Sequence, residues 1–149
     1  MSLGRAQRAA AQQMVDAGID VDDARLESEL LARHVLNYDR AMFLKRRDLE
    51  MPAPAYAQLT ALLERRLHRE PLAYITGRRA FFGMVFDVAP SVLIPRPETE
   101  GLVERTLALA SGGWQGGAPL IADVGTGSGC IAVALAARLP GARLLAIDA

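Results

Sequence analysis

Apolar residues recur every three or four positions through the first seventy residues and at every second position soon after, which predicts helices followed by strands. Residues 4–17 are rich in alanine and glutamine and stop at Gly18, a natural helix end. Asp20 caps a second helix reaching about Leu36, with Leu30, Leu31 and Val35 as its buried stripe and His34 on the same apolar side. Asn37-Tyr38-Asp39 makes a turn, and a short helix covers Arg40–Lys45. Pro52 and Pro54 open a further helix, because proline is tolerated in a first turn. Its apolar positions are Tyr56, Leu59, Leu62, Leu63 and Leu67, and Glu70-Pro71 ends it.

The texture changes over residues 79–94. Phe81, Phe82, Val85, Phe86 and Val88, then Val92, Leu93 and Ile94, alternate as strands do, and Gly83-Met84 between two short runs predicts a hairpin. Pro95-Arg96-Pro97 imposes an extended turn. A helix over Glu98–Ala110 follows, with Leu102, Val103, Thr106 and Leu107 inward, then a glycine-rich loop over Ser111–Gly117. Last come an apolar strand, Leu120–Val124, a loop with Gly125, Gly127 and Gly129, a helix, and a second apolar strand ending at Asp148. This is a β-α-β unit of a nucleotide-type site, and two strands are fewer than a parallel sheet needs. The chain therefore reads as an enzyme cut within its catalytic domain.

Composition narrows the class. Hydrophobic residues make up 51% of 149, enough for a packed core. No apolar run approaches the roughly 20 residues of a membrane span, and the first residues lack a secretory signal. The single cysteine, Cys130, excludes an intramolecular disulfide framework and suits a reducing, cytoplasmic setting. Net charge is zero, yet residues 40–79 hold nine basic and four acidic side chains. A solvated helix face explains that excess better than a nucleic-acid ligand does. His34 and His68 have no second ligand at metal-binding spacing, so no metal site is expected. Cys130, in the first turn after the loop, reads as a small packing residue rather than a nucleophile.

The glycine spacing carries the chemistry. A strand-to-helix turn that admits a cofactor needs positive φ angles and no Cβ in the way, and glycine supplies both. Amides at the start of the next helix, around Ser128–Ala132, suit an electron-rich group. Asp148, nineteen residues beyond Gly129, sits near the offset at which an acid meets ribose hydroxyls. The dinucleotide fingerprint would place its third glycine where Cys130 stands, and the P-loop lysine is missing. Asp-x-Gly-x-Gly-x-Gly with Asp123 in front resembles the first motif of class I S-adenosylmethionine-dependent methyltransferases. That resemblance implies that Asp123, Gly125, Thr126, Gly127, Ser128 and Gly129 hold the methionine end, and Asp148 the ribose.

A wider likeness covers nearly the whole chain. Glu70-Pro71-Leu72-Ala73-Tyr74-Ile75-Thr76-Gly77, Phe81-Phe82-Gly83, and Val92 through Pro95-Arg96-Pro97-Glu98-Thr99-Glu100 closely resemble the HemK/PrmC family of protein-glutamine methyltransferases. Residues 25–31, His34-Val35-Leu36 and Asp39-Arg40 resemble that family's helical domain; Glu27-Ser28 and Phe82 are modest departures. The resemblance implies an α/β chain in three parts. These are a helical bundle over residues 1–75 that recognises a release factor, a β-hairpin linker over 76–97, and the start of a Rossmann-like methyltransferase domain over 98–149. It implies S-adenosylmethionine as cofactor, and class I peptide chain release factors as partners, methylated on the glutamine of a Gly-Gly-Gln loop. No membrane, metal or nucleic acid enters. The family's Asn-Pro-Pro-Tyr motif is not among these residues, so no catalytic residue is assigned and the fragment is expected to be inactive. Arg96, Glu98, Thr99 and Phe82 are candidates for the cofactor or substrate mouth, reached from a preceding strand. Their structural alternatives are an Arg96 ion pair, a helix-start acid at Glu98, and hairpin packing by Phe82. Rival functions are a methyltransferase of nucleic acid or ribosomal protein, an NAD-dependent dehydrogenase, and a binding module without catalysis.

Overall fold

A computed structural model of the chain describes residues 1–112 and 118–148. It is an α/β chain of helices followed by short strands, and it divides into two compact units, Met1–Thr76 and Gly77–Ala149. The glycine-rich loop expected over Ser111–Gly117 falls largely on residues 113–117, outside the described residues.

The first unit is helical: α1 (Leu3–Asp16), α2 (Val21–Leu36), α3 (Arg40–Arg46), α4 (Ala53–Leu67) and a short α5 (Leu72–Thr76). Caps written in the sequence start three of these helices. Ser2 accepts from the Arg5 amide, Asp20 from those of Asp22 and Asp23, and Asp39 from that of Met42. Pro52 occupies the N-cap of α4, with Pro54 inside its first turn. Leu3, Ala6, Ala10 and Met14 line the inner face of α1 and pack with Ala24, Leu31, Ala32, Leu59, Leu63 and Ile75.

The expected stripe on α2 holds at Leu31 and is shifted at its other positions. Ala24, Ser28, Leu31 and Ala32 are its buried residues; Leu30 and Val35 are half-buried, and His34 is exposed. Small residues win three of the four buried positions because α1 presses an alanine-rich face against them. Tyr56, expected on the buried side of α4, is also exposed. Ser28 is a fully buried hydroxyl, tolerated because Gln7 donates to it at 2.8 Å and it donates to the Arg25 carbonyl at 3.1 Å. Its neighbour Glu27 takes two hydrogen bonds from Arg66, at 2.6 and 3.3 Å, and ties α2 to α4.

The second unit opens with an antiparallel hairpin, β1 (Arg78–Phe81) and β2 (Met84–Asp87), paired Phe81 to Met84. Its turn residues are therefore Phe82-Gly83, one position earlier than the sequence predicts. Both have positive φ, 50° and 75°, as a two-residue hairpin turn matched to strand twist requires. Val92–Ile94 form no strand. Pro90, Pro95 and Pro97 lack amide donors, and too few residues remain between them to build a ladder. A 3₁₀ turn (Pro97–Thr99) leads into α6 (Glu100–Ser111). Only Val103 of α6 is fully buried, and Leu102, expected inward, is 54% exposed.

Next come β3 (Leu120–Val124), α7 (Cys130–Ala136) and β4 (Arg143–Ile147). The two strands run parallel, Leu120 beside Arg143 through Val124 beside Ile147, so this is a β-α-β unit. Phe81, Phe86, Val103, Cys130, Ala134 and Leu135 make its core, with Phe81 meeting Phe86 edge-on at 6.2 Å. Among the described residues no helix is long and apolar enough to cross a membrane.

Candidate cofactor loop

The site is assembled at the carboxyl ends of β3 and β4. Gly125, Gly127 and Gly129 take φ of 76°, 54° and 74°, so the chain reverses through left-handed backbone that a side chain would strain. The loop is stitched to the neighbouring strand: the Gly125 and Thr126 amides both donate to the Ile147 carbonyl, at 2.8 and 3.1 Å. Asp148 adds a third tie, accepting from the Gly127 amide at 2.6 Å.

Asp123 works from below. It is buried to 8% exposure and accepts from the Thr126 hydroxyl at 2.7 Å and the Ala132 amide at 3.2 Å. One carboxylate therefore fixes both the crest of the loop and the start of α7, where it also meets the positive end of the helix. This changes the expectation for the helix-start amides, since Ala132 already has a protein acceptor. The Ser128, Cys130 and Ile131 amides have no acceptor among the described residues.

Two observations test whether a ligand fits. A Cβ on Gly125 or Gly127 would meet nothing within 4 Å, and one on Gly129 only the tip of Val133 at 3.9 Å. The glycines therefore face open space, and packing does not demand them. Among the described residues the buried Ser128 hydroxyl has no hydrogen-bond partner, an uncommon state for a polar group. An open cradle with a spare hydroxyl, spare amides and an exposed carboxylate at its edge suits a nucleoside-type cofactor. Cys130 is buried in the core behind the loop.

The other candidates lie on the hairpin turn and in or just before the 3₁₀ turn that leads into α6. Phe82 stacks under the Arg138 guanidinium, 4.2 Å from its ring centre, and its carbonyl accepts from Arg138 at 3.0 Å. Arg138 lies beyond the carboxyl end of α7, whereas the glycine loop leads into the amino end. Arg96 is exposed and extended and meets no carboxylate among the described residues, so the expected ion pair is not formed. Glu98 is exposed and Thr99 half-buried in the 3₁₀ turn, with no strand before them. The acid with a defined partner is Glu100, which accepts from the Phe82 amide at 2.9 Å and holds the hairpin turn in its left-handed form. Sequence reasoning missed this bond because nothing about a phenylalanine signals positive φ. Among the described residues no cluster of potential ligands could hold a metal, and exposed His68 contacts only the Glu64 carbonyl of its own helix.

Comparison with known proteins gives these features a context. Residues 5–77 match the PrmC N-terminal domain. The chain is 43% identical to a release factor glutamine methyltransferase of Burkholderia pseudomallei over 93% of its own length and 46% of that protein. It is 44% identical to one from Koribacter versatilis, over 87% of this chain and 45% of the relative. One from Vibrio cholerae is 41% identical over 99% of this chain and 50% of the relative. The chain spans about half the length of these curated relatives.

Proposed function

We propose a function from one premise: the chain belongs to the PrmC family. It supplies the partner-recognising helical domain and the cofactor grip of an enzyme that methylates the side-chain amide nitrogen of glutamine in the Gly-Gly-Gln loop of class I release factors. The cofactor is S-adenosylmethionine, whose sulfonium, when bound, supplies an activated methyl group. The enzyme acts where release factors act, in the cytoplasm. The observation that supports this best is the pair of acids bracketing an open glycine turn, Asp123 beneath it and Asp148 at its rim.

Each residue then has a task. Gly125, Gly127 and Gly129 keep the turn free of Cβ atoms, so the methionine end approaches the backbone closely. Thr126 is held by Asp123, which sets the crest of the turn before any ligand arrives. The Ser128 hydroxyl and the spare amides offer hydrogen-bond donors to the carboxylate end of the cofactor. Asp148 accepts from the two vicinal ribose hydroxyls and would repel a phosphorylated ribose. Arg96, Glu98, Thr99 and Phe82 stay as candidates for the substrate mouth. An amide nitrogen is a poor nucleophile, so methyl transfer also needs that nitrogen oriented, a task assigned to none of these residues.

Calorimetric titration with S-adenosylhomocysteine and, separately, NAD tests the reading. S-adenosylhomocysteine should bind, Asp148→Ala should weaken it by about tenfold, and NAD should give no heat. NAD binding in place of S-adenosylhomocysteine would make this a dehydrogenase loop.

A further inference from the structure

The helical unit sorts its cations into two sets. Arg25, Arg33, Arg40, Arg65 and Arg66 each face a carboxylate, and Arg69 donates to the Ala17 carbonyl. The basic excess of residues 40–79 is thus partly absorbed inside the fold. Arg5, Arg8, Lys45, Arg46 and Arg47 meet no carboxylate among the described residues. Arg5 and Arg8 lie in the first turns of α1, and Lys45, Arg46 and Arg47 at the end of α3.

Gly4 creates the meeting point. Its amide donates to the Arg47 carbonyl at 2.8 Å, and Leu3 donates to the Leu49 carbonyl at 2.9 Å. A Cβ on Gly4 would lie 3.3 Å from the Arg47 carbonyl oxygen, so glycine is what lets the two segments close. The same point lies 3.4 Å from Arg8 Nη1 and 3.6 Å from Arg47 Nε, so two guanidinium groups flank one glycine. Arg46, next to Arg47 in the chain, is held on Tyr38, its guanidinium 5.3 Å from the ring centre and donating to the hydroxyl at 2.9 Å. The acids of this corner are few: Asp48 is exposed, and Glu50 is taken by the terminal amine at 3.3 Å.

Like charges that outnumber the acids beside them favour an anionic ligand. Leu44 and Leu49, 48% and 58% exposed, bracket Lys45–Arg47 in the chain and add apolar contact. Exposed aromatic rings, which single-stranded nucleic acid would stack on, are missing from the corner: Phe43 is buried and Tyr38 is half-buried under Arg46. We infer that this corner docks an acidic protein segment, its carboxylates on Arg5, Arg8, Lys45 and Arg47 and its aliphatic side chains on Leu44 and Leu49. The inference concerns docking alone and stands whether or not the glycine loop binds S-adenosylmethionine.

Fluorescence anisotropy of the 149-residue chain with a labelled peptide of Glu-Glu-Leu repeats, at low salt, tests it. Arg8→Ala with Arg47→Ala should weaken binding about tenfold. Removing the same charge from the other unit, Arg105→Ala with Arg143→Ala, should change it by less than about twofold. Arg5→Ala with Lys45→Ala, on exposed positions, gives a second reading should the first pair disturb the Gly4 junction. Leu44→Ser with Leu49→Ser should also weaken the peptide. Equal losses from both units, or none from Arg8 and Arg47, would reduce the corner to net charge. An oligothymidylate of matched charge binding more tightly than the peptide would overturn the protein partner in favour of nucleic acid.

Discussion

At Asp123 one buried carboxylate serves two donors at once. Asp123→Ala strands the Thr126 hydroxyl and the Ala132 amide, and should cost about 1.5–3 kcal/mol in urea unfolding. Asp123→Asn, which keeps one acceptor oxygen, should cost less. Glu100 makes a similar case at the hairpin. Glu100→Ala frees the Phe82 amide and should lower stability by about 1–2 kcal/mol, while Glu100→Gln, whose amide oxygen still accepts, should recover most of it. A destabilisation as large for Gln as for Ala would mean that the acid matters for something other than this bond. Charge works differently at Glu70. The hydrogen bond from Arg65 holds its carboxyl below the ordinary carboxylate range, and the same bond raises Arg65. A lowered folded value means the pair stabilises fully above the unfolded carboxylate value of about 4.3 and loses its effect as pH falls through the folded value. Both groups meet solvent, so the increment is small. Melting temperatures of the parent and Glu70→Gln should differ slightly at neutral pH and converge in acid.

Among the elements, glycine separates two kinds of role. Gly101 lies in α6 with ordinary helical backbone and nothing within 4 Å of a new Cβ, so Gly101→Ala should raise stability by about 0.5–1 kcal/mol. Gly125→Ala and Gly127→Ala meet equally open space but at positive φ, and each should lower it by about 1–2 kcal/mol. Thermal melts of the three variants would show whether backbone angle or crowding governs the turn. The same distinction explains what the sequence made legible. Helix starts at Asp20, Asp39 and Pro52, and the turn after Val124, are local matters settled by side chains that cap or by glycine's freedom. Burial in a neighbour's shadow is not local. His34 sits on an apolar spacing yet faces solvent, because the alanines of α1 select Ala24, Ser28 and Ala32 instead. Leu102 is exposed because α6 buries only Val103 fully. Val92–Ile94 look like a strand in composition, but the prolines around them deny a ladder. The short α5 follows Pro71 without a periodic run long enough to announce it. At the site, the residues of the loop could be named from spacing, but the Asp148 tie to Gly127 could not, since it joins two elements twenty-one positions apart.

On the scale of the molecule, the two units differ in how completely they bury themselves. The helical unit encloses a continuous core from Leu3 to Ile75. In the second unit the parallel pair covers one face only: Ile121 and Leu144 pack toward the core behind α7, whereas Leu120, Val124, Leu145 and Ile147 are 55%, 77%, 50% and 48% exposed. Parallel sheets are ordinarily covered on both faces, and an uncovered apolar face of this kind marks a contact surface or a route to aggregation. The chain should therefore bind a hydrophobic dye such as anilinonaphthalene sulfonate in its folded state, and should self-associate as concentration rises. Val124 and Ile147 are partners in the register, so Val124→Glu with Ile147→Lys places an opposite-charge pair on that face. Dye fluorescence should fall by about half or more in the double variant, and sedimentation should show less association, with the circular dichroism of the helices unchanged. Charged substitutions of the same kind at Leu26 and Tyr56, exposed singly on the helical unit, should leave both readings near the parent values. A parent chain that stays dark and monomeric at high concentration would mean that the face is shielded in solution, and the exposure of Val124 and Ile147 would then not describe how the second unit meets water.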